Sequence, residues 1–159
     1  MGVAYDTFSR QCGNRQNQIV TMLNDQERID VVKYRIENAL RTLDEVKVLQ
    51  ELQYYNNAAN RLYYAAFYAA CALLVANKIN TKSHDGVRQM FNMHFVKTGA
   101  FPSYFGKYYN ELFDGRTTGD YEDLFNHDAE SIARLYPLAQ EFIAAIKEKV
   151  DEWLSENKA

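Results

Sequence analysis

The stretch YYNNAANRLYYAAFYAACALLVAN, residues 54–77, decides the fold. Arg61 is its only charge, and the sixteen residues that follow, Leu62 to Asn77, carry none. That run is shorter than the ~20 residues a membrane span needs, and it contains Tyr63, Tyr64 and Tyr68. It reads as a buried helix over about 53–77, apolar nearly all round and therefore central to a bundle. Alanines at 58, 59, 65, 66, 69, 70, 72 and 76 would let neighbouring helices come close. At helical spacing Asn57, Arg61, Tyr64 and Tyr68 fall at i, i+4, i+7 and i+11, one polar stripe on this helix. A buried cation is costly unless it is paired or hydrogen-bonded. Arg61 therefore has either a structural partner or an anionic ligand. For the first, Asp120 in the DGRTTGDYED segment (114–123) is a candidate, with Arg116 competing for it at i−4. For the second, the planar guanidinium suits a phosphate, and Tyr64 and Tyr68 would add hydroxyl bonds or base stacking. Spacing alone leaves both open.

Working outward, Asn24 or Asp25 can cap a first long helix that runs to about Leu49. Ile29, Val32, Ile36, Leu40, Leu43 and Val46 form its apolar stripe, and Arg28, Lys33, Glu37, Arg41, Asp44, Glu45 and Lys47 its solvated face. Ser83 or Asp85 can start a third helix, His84 to Thr98, stopped by Gly99 and packed through Val87, Met90, Phe91 and Phe95. A fourth begins near Pro102 and carries Tyr104, Phe105, Tyr108, Tyr109, Leu112 and Phe113, an aromatic stripe that reads as core. Residues 114–123 read as a loop. Asp128 caps a last helix over about 129–155, with Ile132, Leu135, Ala139, Phe142, Ile146 and Val150 buried and Pro137 marking a break near its start. The expected fold is all-α, an up-and-down four-helix bundle with short extra helices. Residues 1–23 read as a polar N-terminal arm, and 24–155 as one helical domain.

Of 159 residues, 47% are hydrophobic and 25% charged, an ordinary globular balance. The 2 Pro and 7 Gly favour helices over a turn-rich β architecture. Cys12 and Cys71 make no disulfide framework and no metal spacing, and residues 1–23 hold no apolar signal region. A cytoplasmic protein away from membranes is expected. The net charge of −3 argues against binding nucleic acid by bulk charge. The distribution is uneven, however: residues 78–116 hold six basic and three acidic groups, and residues 117–159 four basic and ten acidic. Glycine-rich phosphate loops, zinc signatures and nucleophile elbows are absent from the sequence. His84, His94 and His127 lie too far apart for a helical metal pair, and neither metal nor cofactor is expected.

The segment NRLYYAAFYAACALL (60–74) resembles the central helix of the HEPN family (higher eukaryotes and prokaryotes nucleotide-binding). The resemblance continues through KSHDGVRQMFNMHFVKTG (82–99), DGRTTGDYEDLF (114–125) and the first helix, ERIDVVKYRIENALRTLDEV (27–46), covering about residues 24–150. It implies a compact bundle of four or five helices, a homodimer, and pairing with a small nucleotidyltransferase in a toxin–antitoxin-like module. Several family members are metal-independent ribonucleases, in which an arginine holds the scissile phosphate and a histidine farther along the helix handles the proton. Here Arg61 matches the arginine, but seven residues on the histidine's place is taken by Tyr68. A tyrosine titrates near ~10 and is a poor base at neutral pH. The resulting expectation is nucleotide or RNA phosphate binding at a dimer cleft by Asn57, Arg61, Tyr64 and Tyr68, with Lys82, His84 and Arg116 as further contacts. Two alternatives stand beside it. One is a ribonuclease toxin using Arg61 with Tyr68 or His84. The other is an interaction protein in which Arg61 pins the Arg116–Tyr121 loop through Asp120.

Overall fold

The structure, a computed structural model, describes residue 20, residues 22–118 and residues 126–158, without the side chains of 116–118. The arm up to residue 19, Asp120, Tyr121 and the Arg116 side chain lie outside what is described. Five α-helices follow in order: α1 (Asp25–Glu51), α2 (Tyr55–Ala76), α3 (His84–Phe91), α4 (Ser103–Thr118) and α5 (Ala129–Glu156). No strand occurs among the described residues, and the all-α expectation holds.

Three helices start on side-chain caps. Asn24 caps α1 in a capping box: its Oδ1 accepts from the Glu27 N–H at 2.9 Å, and Glu27 accepts from the Asn24 N–H at 2.9 Å. Ser83 Oγ accepts from the Gly86 N–H at 2.9 Å to start α3. Asp128 Oδ1 accepts from the Ser131 N–H at 2.8 Å to start α5. Between α1 and α2 the chain reverses in a tight turn, with Gln53 left-handed at φ 62° and the Tyr54 N–H reaching back to the Leu49 carbonyl at 2.8 Å.

That short connection lays α1 and α2 antiparallel, and side chains report the register. Arg28 reaches the carbonyl of Val75, Arg35 lies over the Tyr68 ring, and Thr42 and Glu45 meet Arg61. α2 packs against α1, α3, α4 and α5, and Ala58, Ala65, Ala66, Ala69, Ala70 and Ala72 on it are fully buried. By length and composition α2 alone among the described helices resembles a membrane span. Yet 67% of its apolar window is buried inside the bundle, as in a core helix. A second centre of packing is aromatic. Phe142 of α5 lies 5.3 Å from the rings of Phe91 and Phe105 and 5.9 Å from that of Tyr109.

Several expectations need correction. Arg28, assigned to the solvated face of α1, is only 3% exposed. Its guanidinium donates to the carbonyls of Val75 (3.0 Å), Val20 (3.1 Å) and Leu23 (3.2 Å), so backbone dipoles replace water. Leu40, expected in the apolar stripe, is 37% exposed while Ala39 is buried, because the close approach of alanine-rich α2 favours the smaller residue. Tyr104 is exposed, its hydroxyl donating to Glu141. Asp114–Thr118 continue α4 rather than opening a loop. Pro137 makes no break, and α5 is one helix around it. An interior proline costs a helix about 3 kcal/mol, here offset by burial of Leu135 and Ala139 on either side.

The third helix also divides. After Phe91 the chain widens into a π turn, Asn92–Val96, whose Lys97 N–H bonds the Asn92 carbonyl at 2.8 Å. Gly99, at φ 79°, then stops it. Asn92 Nδ2 donates to the Arg88 carbonyl at 3.0 Å and to Asn110 Oδ1 at 3.3 Å, tying this turn to α4. Gly106 of α4 lies against it, and an added Cβ would fall inside van der Waals contact of Asn92 Oδ1 and 3.2 Å from Val96 Cγ1. Gly106→Ala is therefore expected to destabilise the fold by about 1–3 kcal/mol despite alanine's better helix propensity. An unchanged urea midpoint would show that the turn yields freely.

Candidate phosphate-binding face

Arg61 is built into the seam between α1 and α2. Its side chain is 30% exposed, and its Nε lies 2.8 Å from Glu45 Oε2, an ion pair without an aligned hydrogen bond. Nη2 donates to Thr42 Oγ1 over a long 3.4 Å. The guanidinium carbon stands 5.7 Å from the centroid of the Tyr64 ring, within cation–π range. Nη1 has no hydrogen-bond partner among the described residues. One edge of the fork is thus held against α1 by Glu45 and Thr42.

Tyr64 and Tyr68 continue the stripe with ring centroids 6.1 Å apart, and both are half-buried. Burial raises the Tyr68 hydroxyl above its ordinary value, while Arg61 and Arg35 pull it the other way. The net direction keeps Tyr68 a neutral donor at physiological pH. Arg35 comes from α1, its Cζ 6.0 Å from the Tyr68 ring. Two guanidinium groups therefore flank the tyrosine pair.

His84, at the first position of α3, joins the same face. Its ring stacks on Phe67 at 4.2 Å and 11°, meets Tyr64 edge-on at 6.1 Å, and its Nδ1 lies 2.9 Å from the Tyr63 hydroxyl. Spacing in the sequence did not bring His84 to this helix; the short 77–83 connection does. Lys82 is exposed two residues before it, and Asn57 is exposed on the first turn of α2.

Sequence reasoning missed three members of this arrangement. Glu45 and Thr42 partner Arg61, while Asp120, expected in that role, lies outside the described residues. Glu45 was legible only as a surface charge, and the α1–α2 register selects it. Arg35 was missed because nothing along α1 distinguishes it from its charged neighbours. The neighbour Asn56, rather than Asn57, makes the described bonds: its Oδ1 accepts from the His127 N–H at 2.8 Å, and its Nδ2 donates to Asn126 Oδ1 at 3.3 Å.

His127 sits at that junction, its Nδ1 3.3 Å from Ser131 Oγ. Burial holds its pKa below the usual 6.5, with Asp128 and Glu111 opposing. Folded His127 then resists a proton that the unfolded chain accepts. Its contribution to stability is complete above the unfolded value and is lost as pH falls from about 6.5 through the lower folded value. Wild-type protein is expected to lose melting temperature between pH 7 and 5 more steeply than His127→Gln, and parallel curves would contradict this.

An all-α bundle whose central alanine-rich helix presents one arginine and two tyrosines to a partly open seam defines a class of small helical modules. The chain belongs to the HEPN domain family, whose model matches residues 32–150. It is 36% identical over 130 residues to a UPF0332 protein of Thermotoga maritima, spanning 82% of this chain and 97% of that one. It is also similar to two proteins of Methanocaldococcus jannaschii. "Putative toxin MJ0605" is 36% identical over 75% of this chain and 88% of its own length. "Putative toxin MJ0142" is 38% identical over 55% of this chain and 59% of its own length.

Proposed function

We propose that this HEPN protein binds a phosphate group of a nucleotide or RNA through Arg61. Tyr64 and Tyr68 would offer stacking and hydroxyl donors, Asn57, Lys82, His84 and Arg116 would be outer contacts, and the cleft would be completed by a second copy of the chain. The observation that carries this reading is the Arg61 fork: oriented by Glu45 and Thr42, backed by the Tyr64 ring, and still 30% exposed. A planar donor held in place loses little freedom on meeting phosphate.

Relatives named as toxins support a toxin-type role, and the family resemblance supports a nucleotidyltransferase partner in the cytoplasm. Binding is favoured over cleavage because burial keeps the Tyr68 proton in place, so this tyrosine is a weak base at neutral pH. A second reading rests on the Glu45 pair: Arg61 would only tie α2 to α1.

Titration of the full chain with mononucleotides and short single-stranded RNAs, followed by tyrosine fluorescence and by size on a sedimentation run, tests this. Saturable binding by a dimer is expected. Absence of any Arg61-dependent signal would leave the structural reading, and multiple-turnover RNA cleavage would convert the proposal to a ribonuclease.

A further inference from the structure

The Arg61 fork does not meet a ligand as a bare cation. Glu45 Oε2, from α1, stands 2.8 Å from its Nε. Nη2 donates to the Thr42 hydroxyl at 3.4 Å, and Nη1 makes no hydrogen bond among the described residues. A phosphate that meets the Nη edge therefore does so with a carboxylate already fixed at the Nε edge. Arg61 is the one ion-pair partner of Glu45 among the described residues, so the pair carries no net charge. Arg35, the second guanidinium of this face, lies over the Tyr68 ring and has a further interaction of its own.

A neutral pair treats the two kinds of phosphate differently. A phosphodiester carries one negative charge, and a terminal phosphate carries about 1.5 to 2 at pH 7. The first charge is met by N–H donors in the plane of the fork, a geometry that suits paired oxygens. A second charge finds no further cation in the pair and faces the Glu45 carboxylate across the guanidinium. Two like charges about 6 Å apart weaken binding about three- to a hundredfold, as the surroundings pass from water to the edge of a protein. Glu45 is 47% exposed, so solvent holds the effect to about three- to tenfold. Loss of water from the ligand acts in the same direction, because the cost of desolvating an ion rises with the square of its charge.

We propose that Glu45 is a specificity-determining residue, which makes the Arg61 site select phosphodiesters over terminal phosphates. The ligand is then an internal linkage of a nucleic-acid strand rather than the phosphate end of a mononucleotide. This inference rests on the Arg61 reading and adds the residue that selects within it.

The test uses the full chain and two ligands that differ by one charge, adenosine 5′-monophosphate and its methyl ester at the phosphate. The Tyr64 and Tyr68 ring signals, followed by NMR at pH 7.5, report both affinities. Wild type is expected to bind the methyl ester at least as tightly as the monophosphate. Glu45→Gln, which keeps the shape and removes the charge, should move the affinity ratio about three- to tenfold toward the monophosphate. Glu45→Ala should move it the same way. Thr42→Val removes the other support of the fork without touching its charge, and it should weaken both ligands alike and leave the ratio unchanged. A threefold or greater preference of wild type for the monophosphate, or a ratio that neither Glu45 variant moves by as much as twofold, would overturn the assignment and leave the Arg61 site standing. If wild type binds neither ligand, or Arg61→Ala binds both as wild type does, the phosphate reading itself fails and this inference falls with it.

Discussion

Replacing Arg61 by alanine is expected to weaken nucleotide or short-RNA binding about ten- to a hundredfold while lowering the melting temperature by only a few degrees. A hydrogen bond to a charged group contributes about 1.5–3 kcal/mol, which is that range in affinity. The structural part is smaller. Arg61 and Glu45 are 30% and 47% exposed, so solvent screens the pair, and such pairs contribute about 0–1 kcal/mol. In a chain of this size 1 kcal/mol moves the melting temperature by about 2–4 °C. Arg61→Lys keeps the charge but loses the fork, and it should recover only part of the affinity. Glu45→Gln separates the roles further. It removes the ion pair while sparing the guanidinium, so binding should persist or strengthen as the competing carboxylate charge disappears. A drop of ten degrees or more in Arg61→Ala, with ligand affinity unchanged, would assign Arg61 to holding α1 against α2.

Arg28→Ala is expected to have the larger effect on the fold, a loss of about 3 kcal/mol or more in urea unfolding. Its guanidinium makes three hydrogen bonds to main-chain carbonyls at 3.0–3.2 Å. Truncation leaves the Val20 carbonyl buried without that donor and opens a void beside Val75. Arg28→Met should be milder than alanine, because it fills the aliphatic volume and removes the cost of burying charge. If both variants fall within 1 kcal/mol of wild type, the carbonyls are satisfied by water and the residue is not a structural tie.

These two arginines show how far the sequence could be read. Arg61 stood out because sixteen uncharged residues follow it, so its need for a partner was legible from the local pattern, although its side chain is only partly buried. Arg28 had no such contrast. It sits among the charges of α1, and a helical wheel put it with them. Among the described residues, it is the docking of α2 and of Val20 and Leu23 that covers it. Glu45 was missed as a partner of Arg61 for a related reason: it becomes one only when the Leu52–Tyr54 turn sets the antiparallel register.

The same division runs through the rest of the molecule. Local signals determined the helices by themselves: Asn24, Ser83 and Asp128 as caps, Gly99 as a stop, and apolar stripes at spacings of three and four. Each acts within a turn or two of the chain, where hydrogen-bond geometry depends on neighbours in sequence. The continuity of α5 through Pro137 and the π turn after Phe91 were decided by packing, which can outweigh local preferences of a few kcal/mol. The site follows that rule. Arg61, Tyr64 and Tyr68 share a face because one helix has a fixed period. Arg35, Glu45 and His84 reach that face from other helices, and their contacts exist only once the long-range register of α1, α2 and α3 is set.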